Sequence, residues 1–199
     1  MKNAEKIKSY FDQKSRSYQS KSSSFPWSMI RKYEKKLILY FLGNIKNLSI
    51  VDVGSGSGFY AKMIYKHNPK ELYAIDNSGK MLSFIDEKKI VKIKQNIETL
   101  KLNKKFDKLV CAGLLEFTSN PTKTLQKIKK IAKKKAILVL LYPKNNFIGK
   151  LYQKFHKKNK IKINLFSEKE ILKITKKTKW KLLKKEDFLC SSILKLINE

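Results

Sequence analysis

Arginine, histidine, cysteine and acid are scarce in this chain. Of 199 residues two are cysteine, two are histidine and only Arg16 and Arg31 are arginine, while 16 Asp and Glu face 46 Lys and Arg. Each shortage excludes something. Cys111 and Cys190 stand far apart in apolar, strand-like stretches, so buried free thiols are expected, and neither a disulfide framework nor a zinc site has enough ligands. The longest apolar run, Ala136 to Tyr142, stops at Pro143, far short of the roughly 18–20 residues that span a bilayer. Met1 to Lys6 lacks the apolar centre of a secretory leader, which points to a cytoplasmic protein. What remains is ordinary: with 42% hydrophobic and 31% charged residues, the chain has the composition of one globular domain, expected over 1–199, and not of a disordered one.

The basic excess is made of lysine. There are 44 Lys, and the net charge is +30. Residues 121–185 hold 22 of these lysines against Glu168 and Glu170, so the charge concentrates in the C-terminal third. Arginine is the residue of specific phosphate and base recognition. A lysine excess therefore leaves two readings open: peripheral contact with RNA or an anionic membrane surface, or drift of an AT-rich coding sequence toward Lys, Asn and Ile.

Apolar spacing predicts a helix over Ala4 to Ser20, a Ser- and Pro-containing break, and a second helix from Met29 to Phe41 with Gly43 as its C-terminal cap. From Leu48 the pattern changes. Short apolar runs at Leu48–Val53, Glu71–Ile75, Ile90–Ile93, Phe106–Cys111 and Ala136–Tyr142 alternate with helix-forming stretches at Tyr60–Tyr65, Gly79–Ile85 and Leu125–Ala132. This alternation calls for a parallel sheet covered on both faces. Ser167 and Glu170 make a capping box for a late helix. Trp180–Phe188 and Cys190–Ile197 then read as two strands joined by a tight turn, adding an antiparallel C-terminal edge. The expected fold is α/β, Rossmann-like and doubly wound, with a mostly parallel seven-stranded sheet, N-terminal cap helices over 1–46 and a core over 47–199.

The most informative stretch is Val51-Asp52-Val53-Gly54-Ser55-Gly56-Ser57-Gly58-Phe59, which ends the first strand and opens a helix. A tight turn would use one or two glycines for its own geometry; three in strict alternation also let a ligand lie against the backbone at the carboxyl end of a strand. The dinucleotide fingerprint G-x-G-x-x-G/A would place a small residue at Phe59, and no G-K-[ST] follows for a triphosphate loop. The second strand ends at Asp76, 22 residues beyond Gly54. A carboxylate there can accept both ribose hydroxyl protons of an adenosine, although Asp76-Asn77-Ser78 is also a run of good helix N-caps.

The G-x-G-x-G loop resembles motif I of class I S-adenosylmethionine-dependent methyltransferases. Tyr73 to Leu82 is similar to the second motif of that superfamily, Gln95-Asn96-Ile97-Glu98 to the segment after the third strand, and Phe106 to Phe117 to the fourth motif. Tyr10-Phe11-Asp12-Gln13 through Tyr18, with Pro26-Trp27 and Arg31, looks like the cap helices of small-molecule methyltransferases of the quinone and porphyrin kind. The resemblance implies S-adenosylmethionine as cofactor and a site built from Tyr18, Arg31, Asp52, Gly54, Gly56, Gly58, Asp76, Asn77, Met81, Asn96, Ile97 and Ala112. Within it, Asp76 would bind ribose, Met81 would lie against adenine, Asn96 would bond the adenine amino group, and the end of the Phe106–Ala112 strand would meet the methionine portion. Tyr18 would cover the site, or simply pack; Arg31 would face the cofactor carboxylate, or remain a solvated helix charge. The implied acceptor is a small molecule of aromatic or lipid-like character. RNA is the alternative acceptor, and a non-catalytic basic binding protein on the same fold is the alternative class. Two departures stand out: Phe117 follows Leu115-Glu116 where the quinone-type enzymes usually have His, and Lys133-Lys134-Lys135 replaces the usual Pro-Gly-Gly turn.

No catalytic base is assigned. His156, in a lid segment expected over 144–166, is either a base or one more cation beside Lys154, Lys157 and Lys158. Glu116 is either a base or a structural residue. Phe147, Ile148, Leu151, Tyr152 and Phe155 repeat at helical spacing beside lysines, which fits a lid, an interfacial helix or plain packing.

Overall fold

The computed structural model describes the backbone of residues 2–22 and 27–199 and the side chains of residues 5–15 and 28–199. The side chains of Tyr18 and Trp27, and the break before Trp27, lie outside the described residues. Helices α1 (Lys2–Ser22) and α2 (Trp27–Leu42) precede an alternating core of β1 (Ser49–Val53), α3 (Phe59–Tyr65), β2 (Glu71–Asp76), α4 (Gly79–Leu82), β3 (Ile90–Lys94) and β4 (Phe106–Ala112). There follow α5 (Pro121–Lys130), β5 (Ala132–Pro143), α6 (Phe147–Lys158), α7 (Glu168–Lys177), β6 (Trp180–Phe188) and β7 (Ser191–Asn198).

The seven strands form one sheet in the order β3-β2-β1-β4-β5-β7-β6. β1 through β5 run parallel, and β7 pairs antiparallel with both β5 and β6. One face carries Val51, Val53, Leu109 and Cys111 against Leu125 and Ile128 of α5 and Ile171 of α7. The other carries Ile50, Ala74 and Val110 against Ile38 and Phe41 of α2 and Ile64 of α3. Alternate residues of one strand therefore feed two cores, which is why these strands read as near-continuous apolar runs. Chain order reverses between β1 and β4, and a crevice at the carboxyl ends of strands beside such a switch point is where ligands bind in open α/β sheets.

The expected capping box is present, with Ser167 and Glu170 bonded reciprocally at the start of α7. Several boundaries differ from the sequence reading, three of them with consequences. The helix expected over Gly79–Ile85 stops at Leu82. The helix expected to reach Ala132 ends at Lys130, and β5 begins at Ala132. Between the pairs Phe106↔Ala132 and Lys108↔Ile137, β5 advances five residues while β4 advances two. Lys133 to Lys135 are thus the extra residues, Lys135 adopts φ +60°, and the Lys133 ammonium bonds both oxygens of Asp107 at 2.9 Å. The triple lysine is a bulge inside the strand, and the Pro-Gly-Gly loop it replaces is absent. Among the described residues no helix is long and apolar enough to cross a membrane, and no group of His, Cys, Asp and Glu could hold a metal ion. Both cysteines are free and buried, as expected.

Candidate active site

The glycine loop is pinned to the neighbouring strand before any side chain contributes. The Gly54 and Ser55 N–H groups donate to the carbonyl of Ile75, at 2.8 and 3.1 Å, and the Gly56 N–H donates to Asp76 Oδ2 at 2.9 Å. All three loop glycines have positive φ, from +53° to +80°, a region that side-chain-bearing residues avoid. Their surroundings differ. A Cβ on Gly54 would stand 2.8 Å from Leu114, and one on Gly58 would stand 2.6 Å from Ile85. At those two positions packed side chains fill the space a Cβ would take. A Cβ on Gly56 would stand 3.4 Å from the terminal methyl of Met81. Gly56 therefore faces a movable thioether, with the Asp76 carboxylate on its other side.

Asp76 is held as a receiver. Its Oδ1 accepts the Ser78 N–H at 2.8 Å, while Ser78 itself caps α4 by accepting the Met81 N–H at 3.0 Å. The capping duty thus falls on Ser78, and Asp76 keeps lone pairs for a ligand. Burial pushes the Asp76 carboxyl up, the N–H groups of Ser78, Gly56 and Asn77 pull it down, and Asp12 of α1 adds a little upward push. Asp12 accepts a short bond from the Ser78 hydroxyl and pairs with Lys8 at 2.6 Å; burial opposes its ionisation, but these bonds hold its carboxyl below the usual range. The cap helix is therefore latched over the β2 tip. Sequence reasoning passed over Asp12 as a site residue, although it stands in the quoted Tyr10-Phe11-Asp12-Gln13.

The other expected residues fall around this centre. Met81 is buried at the loop, and Asn77 is partly buried beside Asp76. Asn96 Oδ1 accepts the Glu98 N–H at 2.9 Å, so it caps the short turn that carries buried Ile97. Ala112 ends β4 one residue before Gly113. Asp52 lies beneath the loop rather than in it: it is 1% exposed, accepts the Ala61 N–H, and is driven up to about 7 by burial. The Arg31 guanidinium stands 4.7 Å over the Phe59 ring and interacts with Glu34; it is not a solvated helix charge.

Two buried acids gather behind the β4 tip. Glu116 is 4% exposed, its Oε2 has no partner among the described residues, and burial raises its carboxyl to about 8. Near neutral pH it holds its proton, so it is no ready base. Glu34 accepts the Tyr60 hydroxyl at 2.9 Å and the Ser191 hydroxyl at 3.3 Å, and burial likewise raises it. Sequence reasoning missed Glu34, whose only signal was an acid on the helical face that carries Ile38 and Phe41.

These acids give a pH dependence. Between the ordinary 4.5 and about 8, folded Glu116 keeps a proton that the unfolded chain has released, so its contribution to stability is complete below the unfolded value and is lost as pH rises through the folded one. Asp52 acts in the same sense between 3.8 and about 7. Glu116→Gln cannot ionise; between pH 5 and pH 8 it is expected to gain about 3 kcal/mol on the parent protein. Urea titrations at both pH values check this, and equal pH slopes for the two proteins would mean that Glu116 is ionised in the fold.

His156 is not another surface cation. It is 6% exposed, and its ring makes edge-on contacts with Tyr10 of α1, Phe117 after β4, and Tyr152, at centroid distances of 6.0, 5.4 and 4.6 Å. Phe11 packs on Phe117 at 5.2 Å. Burial lowers the imidazole to about 4, so it is neutral at physiological pH, and its buried Nδ1 has no partner among the described residues. The ring thus stands beside Phe117, the residue found where the quinone-type pattern has a histidine.

A doubly wound sheet with a glycine loop and an acid at the next strand tip is the Rossmann-like arrangement expected from the sequence. Residues 44–187 match the family described as a methyltransferase domain, and the chain belongs to that family. An uncharacterised protein of Methanocaldococcus jannaschii is 28% identical over 138 residues, 67% of this chain and 65% of that one. A tRNA U34 carboxymethyltransferase of Campylobacter fetus is 34% identical over 95 residues, 43% of this chain and 33% of the enzyme. The chain therefore spans under two thirds of the length of these curated relatives. Among solved structures, magnesium protoporphyrin IX methyltransferase from Synechocystis, with bound S-adenosylhomocysteine, superposes with a TM-score of 0.77 at 16% identity, covering 99% of this chain and all of that one.

Proposed function

We propose that the protein transfers a methyl group from S-adenosylmethionine to a small, apolar, aromatic or lipid-like acceptor. The observation that carries the donor assignment is the Gly56–Asp76 contact at 2.9 Å beside the Met81 side chain, whose end methyl would stand 3.4 Å from a Cβ at Gly56. When bound, the donor supplies an electrophilic methyl on a sulfonium. Asp76 would accept the ribose hydroxyls, Met81 and Ile97 would flank the adenine, and Asn96 Oδ1 would accept from its amino group. Arg31 would meet the carboxylate of the donor, and Ala112 would border its methionine end. Tyr18 would cover the site from α1.

Methyl displacement needs no oxyanion stabilisation, because the positive charge is present from the start and disperses. Positioning is the larger contribution, worth about 7–11 kcal/mol for well-aligned reactants. The cluster of Tyr10, Phe11, Phe117 and Tyr152 around His156 would give a planar or aliphatic acceptor apolar contacts beside α1, with the 144–166 segment as its lid. There the neutral His156, whose Nδ1 is enclosed and whose basicity is low, would be part of the wall of that site.

RNA is the second reading, favoured by the Campylobacter relative and by the net charge of +30. A lysine-lined hollow formed by Lys105, Lys129, Lys130 and Lys134 lies at the amino ends of β4 and β5. Since β4 is seven residues long, that hollow is roughly 20 Å from the glycine loop. A strand bound there would have to extend over that distance to present a base to the donor.

The test is calorimetry of the donor with pure protein, then mass spectrometry of RNA and of apolar extract incubated with isotope-labelled donor. Expected are micromolar donor binding and label in the apolar fraction. Absence of donor binding ends the enzyme reading, and label in RNA alone moves the acceptor to the second reading.

A further inference from the structure

The outer surface of α6 is apolar and uncovered. Phe147 is 76% exposed, Ile148 40%, Leu151 52% and Phe155 57%. With about 100° per residue, these four side chains form one ridge. Lys150, Lys154, Lys157 and Lys158, all exposed, line the adjoining strip. The helix sits on the fold through its third side, where Gly149 and His156 are buried. Gly149 allows this close seating: a Cβ there would stand 1.9 Å from the carbonyl oxygen of Lys144. Plain packing, one of the readings left open for this amphipathic stretch, therefore does not account for the ridge. A second apolar point adjoins it. Asn146 Nδ2 donates to the carbonyl of Leu189 at 2.9 Å, tying the first turn of α6 to the β6–β7 hairpin tip, where Leu189 is 49% exposed.

We infer that α6 and the hairpin tip dock on an anionic lipid surface. Rows of aliphatic and aromatic side chains beside lysines fit the boundary between acyl chains and acidic headgroups. Each lysine held near such a surface adds attraction that fades within a Debye length. A second copy of the chain would match the ridge, but two bodies of +30 repel, and the lysines lie on the same helix that would have to meet. RNA phosphates would satisfy the lysines and leave Ile148, Leu151 and Leu189 without an apolar counterpart. The inner side of this helix carries Tyr152 and His156. On the proposed reading of an apolar acceptor, the docked helix draws that acceptor from the lipid phase; the docking itself does not depend on that reading.

Co-sedimentation of the whole protein with vesicles of phosphatidylserine and phosphatidylcholine, and with pure phosphatidylcholine, tests this. Binding to the anionic vesicles is expected, weakened by salt. It should fall at least about tenfold in Phe147→Ser/Leu151→Ser, through lost apolar burial, and also in Lys150→Glu/Lys154→Glu/Lys158→Glu. Both variants should keep the parent melting temperature and donor affinity, since every altered side chain is exposed. The proposal is overturned if the parent protein ignores anionic vesicles, or if the serine variant binds them as tightly as the parent. It is equally overturned if the serine changes instead weaken RNA binding, or dissolve a dimer seen by ultracentrifugation, with vesicle binding unchanged. Failure of the parent protein to bind the methyl donor would remove the enzyme reading and leave the vesicle result standing.

Discussion

Asp76→Ala is expected to weaken S-adenosylmethionine binding by about 1.5–3 kcal/mol, roughly 10- to 150-fold, the scale of hydrogen bonds to a charged group. Each oxygen of Asp76 already accepts one backbone N–H, from Gly56 at 2.9 Å and Ser78 at 2.8 Å. A carboxylate oxygen has room for a second donor, so the loop bonds orient the group toward a ribose without exhausting it. Removing the carboxylate deletes the ribose contacts and frees the Gly56 amide, and both losses act on affinity. Isothermal titration measures the change, with circular dichroism to check that the variant is folded. Asp76→Asn keeps the size of the side chain, but its NH2 would face N–H or O–H donors on one side, so it should recover only part of the loss. Unchanged affinity in the alanine variant would refute the ribose role and, with it, the central contact of the proposed site.

Gly58→Ala is expected to cost about 2–5 kcal/mol of stability, combining a disfavoured backbone region with overpacking. Gly58 holds φ +80°, and its missing Cβ would overlap Ile85 Cγ1 at 2.6 Å. Ile85 is buried among Tyr60, Ile64 and Leu82, so it has little room to retreat. Against a typical stability of about 5–15 kcal/mol, this is a large share. Gly56→Ala provides the contrast. At φ +53°, its added Cβ would meet only the mobile end of Met81 at 3.4 Å, so the stability cost should be about 1–2 kcal/mol, with the main effect on donor binding. Chemical denaturation and donor titration of the two variants separate these roles. Equal destabilisation by both would show that Gly58 is no more constrained by packing than Gly56.

The strand and helix alternation, the glycine loop and the acid at the β2 tip were legible because each is written in a short window. Apolar runs of strand length mark strands with two covered faces, and closely spaced glycines mark a bend at a strand end. The same windows misplaced the start of β5, because nothing local to Lys133-Lys134-Lys135 says that the ladder with β4 continues on both sides of it. They could not place β7 between β5 and β6, since strand order is a matter of which edges meet. The fate of Asp52 and Glu34 was hidden for a related reason: an acid in an apolar stretch reads as a ligand or as a surface group until its cover is known.

His156 and α6 mark the boundary most clearly. Residue types and spacing were sufficient to specify a glycine loop beside a strand-tip carboxylate on a doubly wound sheet, because backbone freedom at glycine and the charge of a carboxylate are local properties. Whether the histidine among lysines would be a solvated cation or a neutral ring among aromatics depended on α1, the β4 end and α6 converging on one place. Which side of α6 would meet the fold was likewise settled by close seating at Gly149. Burial is a relation between distant segments, and a one-dimensional pattern records which residues share a face but not what lies against it.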